Sequence, residues 1–124
     1  VLAANRLPAG NDMQRDVRAA AVAEAFHKAV AVPLQVMRET MALAELLLTM
    51  AEVGAPDAAS DALVGALCLR AAVRGAGANV RINAGQTVMT PQLQTMVDEA
   101  TRLEAAAEAI ESTMAATVAK RLSI

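Results

Sequence analysis

The chain has 124 residues, 31 of them alanine, and 56% of it is apolar although Phe26 is its only aromatic side chain. Alanine and leucine at that density favour helix and fill a sheet interior poorly, while 19% charged residues cannot keep so apolar a chain unfolded. A net charge of −2, no basic cluster and no aromatics for stacking exclude a nucleic-acid binder.

The fold class this predicts is all-α, an up-and-down bundle of long helices in one domain spanning residues 1–124. Val1 to Ala4 reads as the tail of an earlier helix, and the opening valine as a sign that something upstream was removed, left out or never built. Leu7-Pro8-Ala9-Gly10-Asn11 is a loop, after which Asp12 is the expected N-cap of a helix running to Val53 and closed by Gly54 at C′. Along it Val22, Phe26, Ala29, Pro33, Val36, Thr40, Leu43, Leu47 and Met50 recur at steps of four and three, the seam of a bundle helix. Pro33 lacks an N–H and clashes with the preceding turn, so a kink or break is expected there. Met41 to Ala51 is strongly apolar but carries Glu45 and is too short for about 30 Å of hydrocarbon, so no membrane span is expected. The opening residues do not read as a signal peptide.

Ala55-Pro56-Asp57 is a connector, and Ser60 is the expected cap of a helix reaching about Asn79. Gly75 and Gly77 weaken its end, and Asn83-Ala84-Gly85-Gln86 reads as a loop. Thr90-Pro91 then gives an N-cap followed by proline at N1. Leu93, Met96, Ala100, Leu103, Ala107, Ile110 and Met114 repeat as core positions of the last helix, with Glu104, Glu108 and Glu111 forming a solvated face.

The residues with chemical potential cluster in the penultimate helix. Asp61, Gly65, Cys68, Ala72, Gly75 and Asn79 share a face of small side chains, suited to tight helix packing or to the floor of a flat ligand site. Asp61 follows its cap directly and is either a partner for the helix dipole or a general acid/base. In an extended or irregular segment Asn79, Arg81 and Asn83 would share a side. There the guanidinium would grip a carboxylate and the amides a heterocycle edge; otherwise they satisfy a helix end. His27, with no evident carboxylate to orient it, reads as structural. No ligand spacing supports a metal. Cys68, the single cysteine, excludes an internal disulfide and fits a cytoplasmic setting.

Three segments in order, Val32-Pro33-Leu34, Ser60-Asp61-Ala62 and Asn79-Val80-Arg81-Ile82-Asn83, are similar to those of the cyclodeaminase/cyclohydrolase family of folate enzymes. Leu7-Pro8 and Arg18-Ala19-Ala20-Ala21 extend the resemblance over nearly the whole chain. It implies an all-α bundle forming a homodimer or higher homo-oligomer, with a tetrahydrofolate derivative bound near the subunit interface and no metal. It also implies acid/base interconversion of 5-formimino-, 5,10-methenyl- or 10-formyl-tetrahydrofolate. Asp61 is then the proton-transfer group, Arg81 holds a folate carboxylate, and Asn79 and Asn83 orient the pterin. Family members begin with further helices and a glycine-rich segment that this chain lacks, so it resembles the carboxy-terminal portion of such a domain. The alternative is a truncated, non-catalytic oligomerisation module of the same family.

Overall fold

Asn11, not Asp12, starts the first long helix: its side chain accepts a hydrogen bond from the Gln14 N–H at 2.8 Å, which leaves Asp12 in the first turn. The computed structural model describes residues 1–123. In chain order it contains α1 (Leu2–Asn5), α2 (Asp12–Met41), α3 (Ala44–Val53), a 3-10 turn (Pro56–Ala58), α4 (Ala59–Ala84) and α5 (Pro91–Arg121). No strand occurs among the described residues. The arm made of α2 and α3 runs up, α4 down and α5 up, which is the up-and-down, all-α bundle that the composition predicts.

The expected break at Pro33 does not occur. Helix α2 continues through it, and the interruption lies nine residues later at Ala42–Leu43. Gly54 ends α3 with φ −67° and ψ 175°, so it is not a left-handed C′ glycine. A side chain there would instead run into the Met50 carbonyl oxygen. Helix α4 follows a 3-10 turn without any side-chain cap, so Ser60 does not serve as one. The same helix extends to Ala84, past both glycines, because burying Val80 and Ala84 outweighs roughly 1 kcal/mol of propensity lost per glycine. The start of α5 is as expected: Thr90 Oγ1 accepts from the Leu93 N–H at 3.2 Å.

Two apolar clusters fill the bundle. One gathers Val30, Leu34 and Met37 of α2 with Leu69, Val73 and Val80 of α4 and Leu93, Ala100 and Ala107 of α5. The other joins Ala51, Ala59, Ala62, Ala66, Met114 and Val118 at the opposite end. The predicted α5 core positions are buried or packed against these clusters. The α2 seam is displaced by one residue, since Val30, Leu34 and Met37 face inward while Ala29, Pro33 and Val36 flank a groove. Pro56–Ala84 is long and apolar enough to cross a membrane, which Met41–Ala51 is not. It is α4 with its entry turn, and α4 packs against α2, α3 and α5 as the core helix of the bundle.

Ion pairs tie the helices laterally. Arg38 forks onto Glu99 at 2.6 and 2.7 Å, Arg81 forks onto Glu104, and Arg70 reaches Glu111. The acidic run on α5 is therefore not a solvated face: Glu104 and Glu111 bind arginines of α4, and only Glu108 keeps most of its side chain in water. Hydrogen bonds from Arg38 and Arg81 hold the Glu99 and Glu104 carboxyls below the usual glutamate range, against the opposing effect of burial. A folded-state value lower than the unfolded one of about 4.3 means stability that is complete above about pH 5 and lost as acid protonates the native pair. The urea midpoint should stay flat from pH 7 to about 5 and fall below it. Glu104→Gln should make that acid limb shallower.

Glycines on α4 separate into two kinds. A methyl group at Gly65 would lie 2.7 Å from Leu47 Cδ2, whereas one at Gly75 meets nothing within 4 Å. Gly75→Ala should thus gain helix propensity alone and stabilise the fold by about 0.5–1 kcal/mol, read as a rise in thermal midpoint. Gly65→Ala should lower it.

Candidate functional site

Steps of four and three along α4 bring Gly65, Cys68, Ala72, Ala76, Asn79 and Asn83 to one flank, beside the outward face of α2 and α3. The result is a two-part groove. Its larger part, about 660 Å³, lies between Val32, Pro33 and Val36 of α2 and Ala76, Asn79 and Asn83 of α4. At Ala72 it joins a nearly apolar part of about 380 Å³, bordered by Thr40, Leu43, Leu46, Gly65 and Cys68. Val32, Val36, Leu43 and Leu46 are 45–67% exposed along it, a continuous apolar rim with no protein cover.

Asn79 is exposed and Asn83 half-buried, one helical turn apart at the polar end of the groove. Asn83 Nδ2 donates to the Ala29 carbonyl oxygen at 2.8 Å. That oxygen is the one Pro33, four residues on, cannot serve, since proline has no N–H. The proline is therefore accommodated inside the helix by a side chain 54 residues away in sequence.

Arg81 does not join them. The segment from Asn79 to Ala84 is helical rather than extended, so Arg81 points about 200° away from Asn79, toward α5. It is held there by Glu104, with Nη1 to Oε1 at 2.9 Å. Gly77 makes room for this pair, since a Cβ at that position would collide with the Glu104 carboxylate. A ligand carboxylate reaching Arg81 would have to displace Glu104.

Asp61 stands in the first turn of α4, exposed and beyond the apolar end of the groove. Eighteen residues of unbroken helix separate it from Asn79, about 27 Å along the axis. Asp61 and the asparagines therefore share a flank but not a site within one chain. His27 is half-buried and borders a separate depression of about 310 Å³ with Glu24, Thr87, Thr90 and Gln92. The carboxylate of Glu24 pairs with Lys28 at 3.4 Å. Among the described residues no group of three His, Cys, Asp or Glu side chains is placed to hold a metal ion.

Sequence reasoning overlooks the part of Pro33 as a wall of the groove. The signal is present: a proline inside a helical pattern leaves a carbonyl that requires a donor from elsewhere.

A family model described as formiminotransferase-cyclodeaminase matches residues 1–102 of the chain. No curated protein matches it.

Proposed function

The chain belongs to the formiminotransferase-cyclodeaminase family, and from that premise we propose that it is a folate one-carbon enzyme whose pterin-binding end is the groove at Asn79 and Asn83. The observation that carries this reading is the convergence of two distant segments, Val32-Pro33 and Asn79–Asn83, on one concave surface with a polar end and an apolar body. A pterin carries amide-like donors and acceptors on one edge and a flat ring face, and the groove offers amides beside apolar walls.

Both reactions open to it are acid/base reactions at one carbon. In cyclodeamination N10 attacks the carbon of the protonated formimino group, the N10 proton passes to the departing nitrogen, and ammonia leaves as the cationic methenyl bridge forms. In cyclohydrolysis water adds to the cationic methenyl carbon and releases one proton, and its second proton passes to N5 as the bond to N5 breaks to leave a 10-formyl group. Positioning and one proton shuttle suffice for either.

Asp61 is the carboxylate proposed for that shuttle, and its distance from the asparagines supports delivery from a second copy. Asp61 and Asn83 each lie eleven residues from Ala72, close to three whole turns, so all three fall on one face of α4. A two-fold axis near Ala72 would set the partner subunit's Asp61 against Asn83, with the short side chains of Cys68 and Ala72 letting the two helices approach closely. The exposed rim of Val32, Val36, Leu43 and Leu46 is the surface such a homodimer would cover. Arg81, already bound by Glu104, keeps a structural part in this reading. A cytoplasmic setting goes with it.

The test is the ultraviolet absorbance of 5,10-methenyltetrahydrofolate and the ammonia released from 5-formiminotetrahydrofolate, each followed with the chain and with Asp61→Ala. Protein-dependent turnover of either substrate, lost in the variant, is expected. Turnover of neither would leave the chain a non-catalytic helical module.

A further inference from the structure

We infer that Pro33 is a positioning residue: by withholding the N–H that would serve the Ala29 carbonyl, it commits the Asn83 amide to a single orientation. The inference rests on the reading of this groove as the pterin site and concerns how that site is made selective.

An asparagine side chain has two ends of similar size and opposite character, an NH₂ donor and a carbonyl acceptor, and a free amide presents either by turning over. Asn83 is not free. Its Nδ2 is 2.8 Å from Ala29 O, a carbonyl bond that only the donor end can make. The end left for a ligand is therefore Oδ1, an acceptor. Asn79, one turn earlier and exposed, makes no such bond among the described residues, and its amide can turn to suit. The groove at Asn83 thus selects a ligand edge that brings N–H groups, as the amino and lactam N–H of a pterin ring do, and disfavours one bearing acceptors alone. An ordinary residue at position 33 would satisfy the Ala29 carbonyl from within the helix and release the Asn83 amide.

A proline in a helix interior is unfavourable for the helix itself, which makes this device separable from simple stabilisation. In Pro33→Ala the thermal midpoint should hold or rise, while affinity for 5-formyltetrahydrofolate, a stable probe, should fall about tenfold. A residue of purely structural importance would move the two readouts in the same direction.

A double-mutant cycle with Asn83→Ala supplies the second arm. With Pro33 present, Asn83→Ala should lower the thermal midpoint, since it orphans the Ala29 carbonyl. In the Pro33→Ala background the same substitution should leave the midpoint unchanged. Pro33→Ala binding the probe as tightly as the parent would overturn the positioning role. Additive midpoints around the cycle would overturn the coupling itself. Should the parent chain fail to bind the probe, the pterin reading and the selectivity drawn from it fall together, and the cycle still decides whether Pro33 governs Asn83.

Discussion

Chains carrying Asp61→Ala and Asn79→Ala are each expected to be inactive alone and to recover about a quarter of the parent turnover when unfolded together and refolded as a mixture. The fraction follows from symmetry. Half of randomly assembled dimers contain one chain of each kind, and each such dimer has one site with both residues intact and one with neither. Loss of a positioned proton-transfer group costs typically 10²–10⁴-fold, so the recovered activity would stand far above either parent variant. Recovery depends on the two residues meeting across a subunit boundary. If the site were built within one chain, every dimer would lack one residue or the other in every site, and the mixture would remain inactive. The distance of about 27 Å along rigid helix between Asp61 and Asn79 is what makes this outcome expected.

Leu34→Ala is expected to lose about 3–5 kcal/mol of folding free energy, the upper part of the usual range for such a truncation. Leu34 is fully buried where α2 meets α4 and α5. Its cluster includes Ala76, Ala84, Ala100 and Ala107, short side chains that cannot swing into the vacated space. A cavity lined this way stays open, and it is the unrelaxed cavity that raises the cost of losing the side chain. At a typical urea slope of about 1–3 kcal/mol per molar, that loss lowers the urea midpoint by at least about 1 M. Val17→Ala, on the same helix, 59% exposed and away from the groove, should change the folding free energy by less than about 0.5 kcal/mol. Equal effects from the two would mean that α2 does not face the bundle through Val30, Leu34 and Met37.

These cases also show which parts of the molecule its sequence discloses. The start and the buried seam of α5 are legible, because Thr90-Pro91 is written locally and the core positions recur without a competing apolar face, whereas its acidic run is not, since the arginines that meet Glu104 and Glu111 belong to α4. Helix α2 is legible as a helix but not in its orientation. In so alanine-rich a chain Ala29-Pro33-Val36 and Val30-Leu34-Met37 are both acceptable apolar stripes, and periodicity has no means of choosing between neighbours one residue apart. The break at Ala42–Leu43 carries no glycine or proline to announce it, and beyond it α3 packs on α4 and α5. Continuity through Pro33 cannot be read locally at all, since the donor that permits it belongs to a residue far along the chain. The candidate site is legible as residue types and not as a constellation. Asn79 and Asn83 do stand together, but the helix that joins them carries Arg81 to the other side and holds Asp61 at a distance.

The lateral arginine–glutamate pairs bear on a different problem, that of alignment. Alanine-faced helices are smooth, and a core with little relief would tolerate α5 displaced by a whole heptad almost as well as in its native position. Glu99, Glu104 and Glu111 are spaced five and seven residues apart and meet arginines at positions 38, 81 and 70. A slide of seven residues that brings Glu111 to the place of Glu104 would leave Arg38 facing Ala106 and Arg70 facing Val118. The charges therefore act as a key of unequal teeth, distinguishing the native alignment from its nearest imitation where side-chain shape does not.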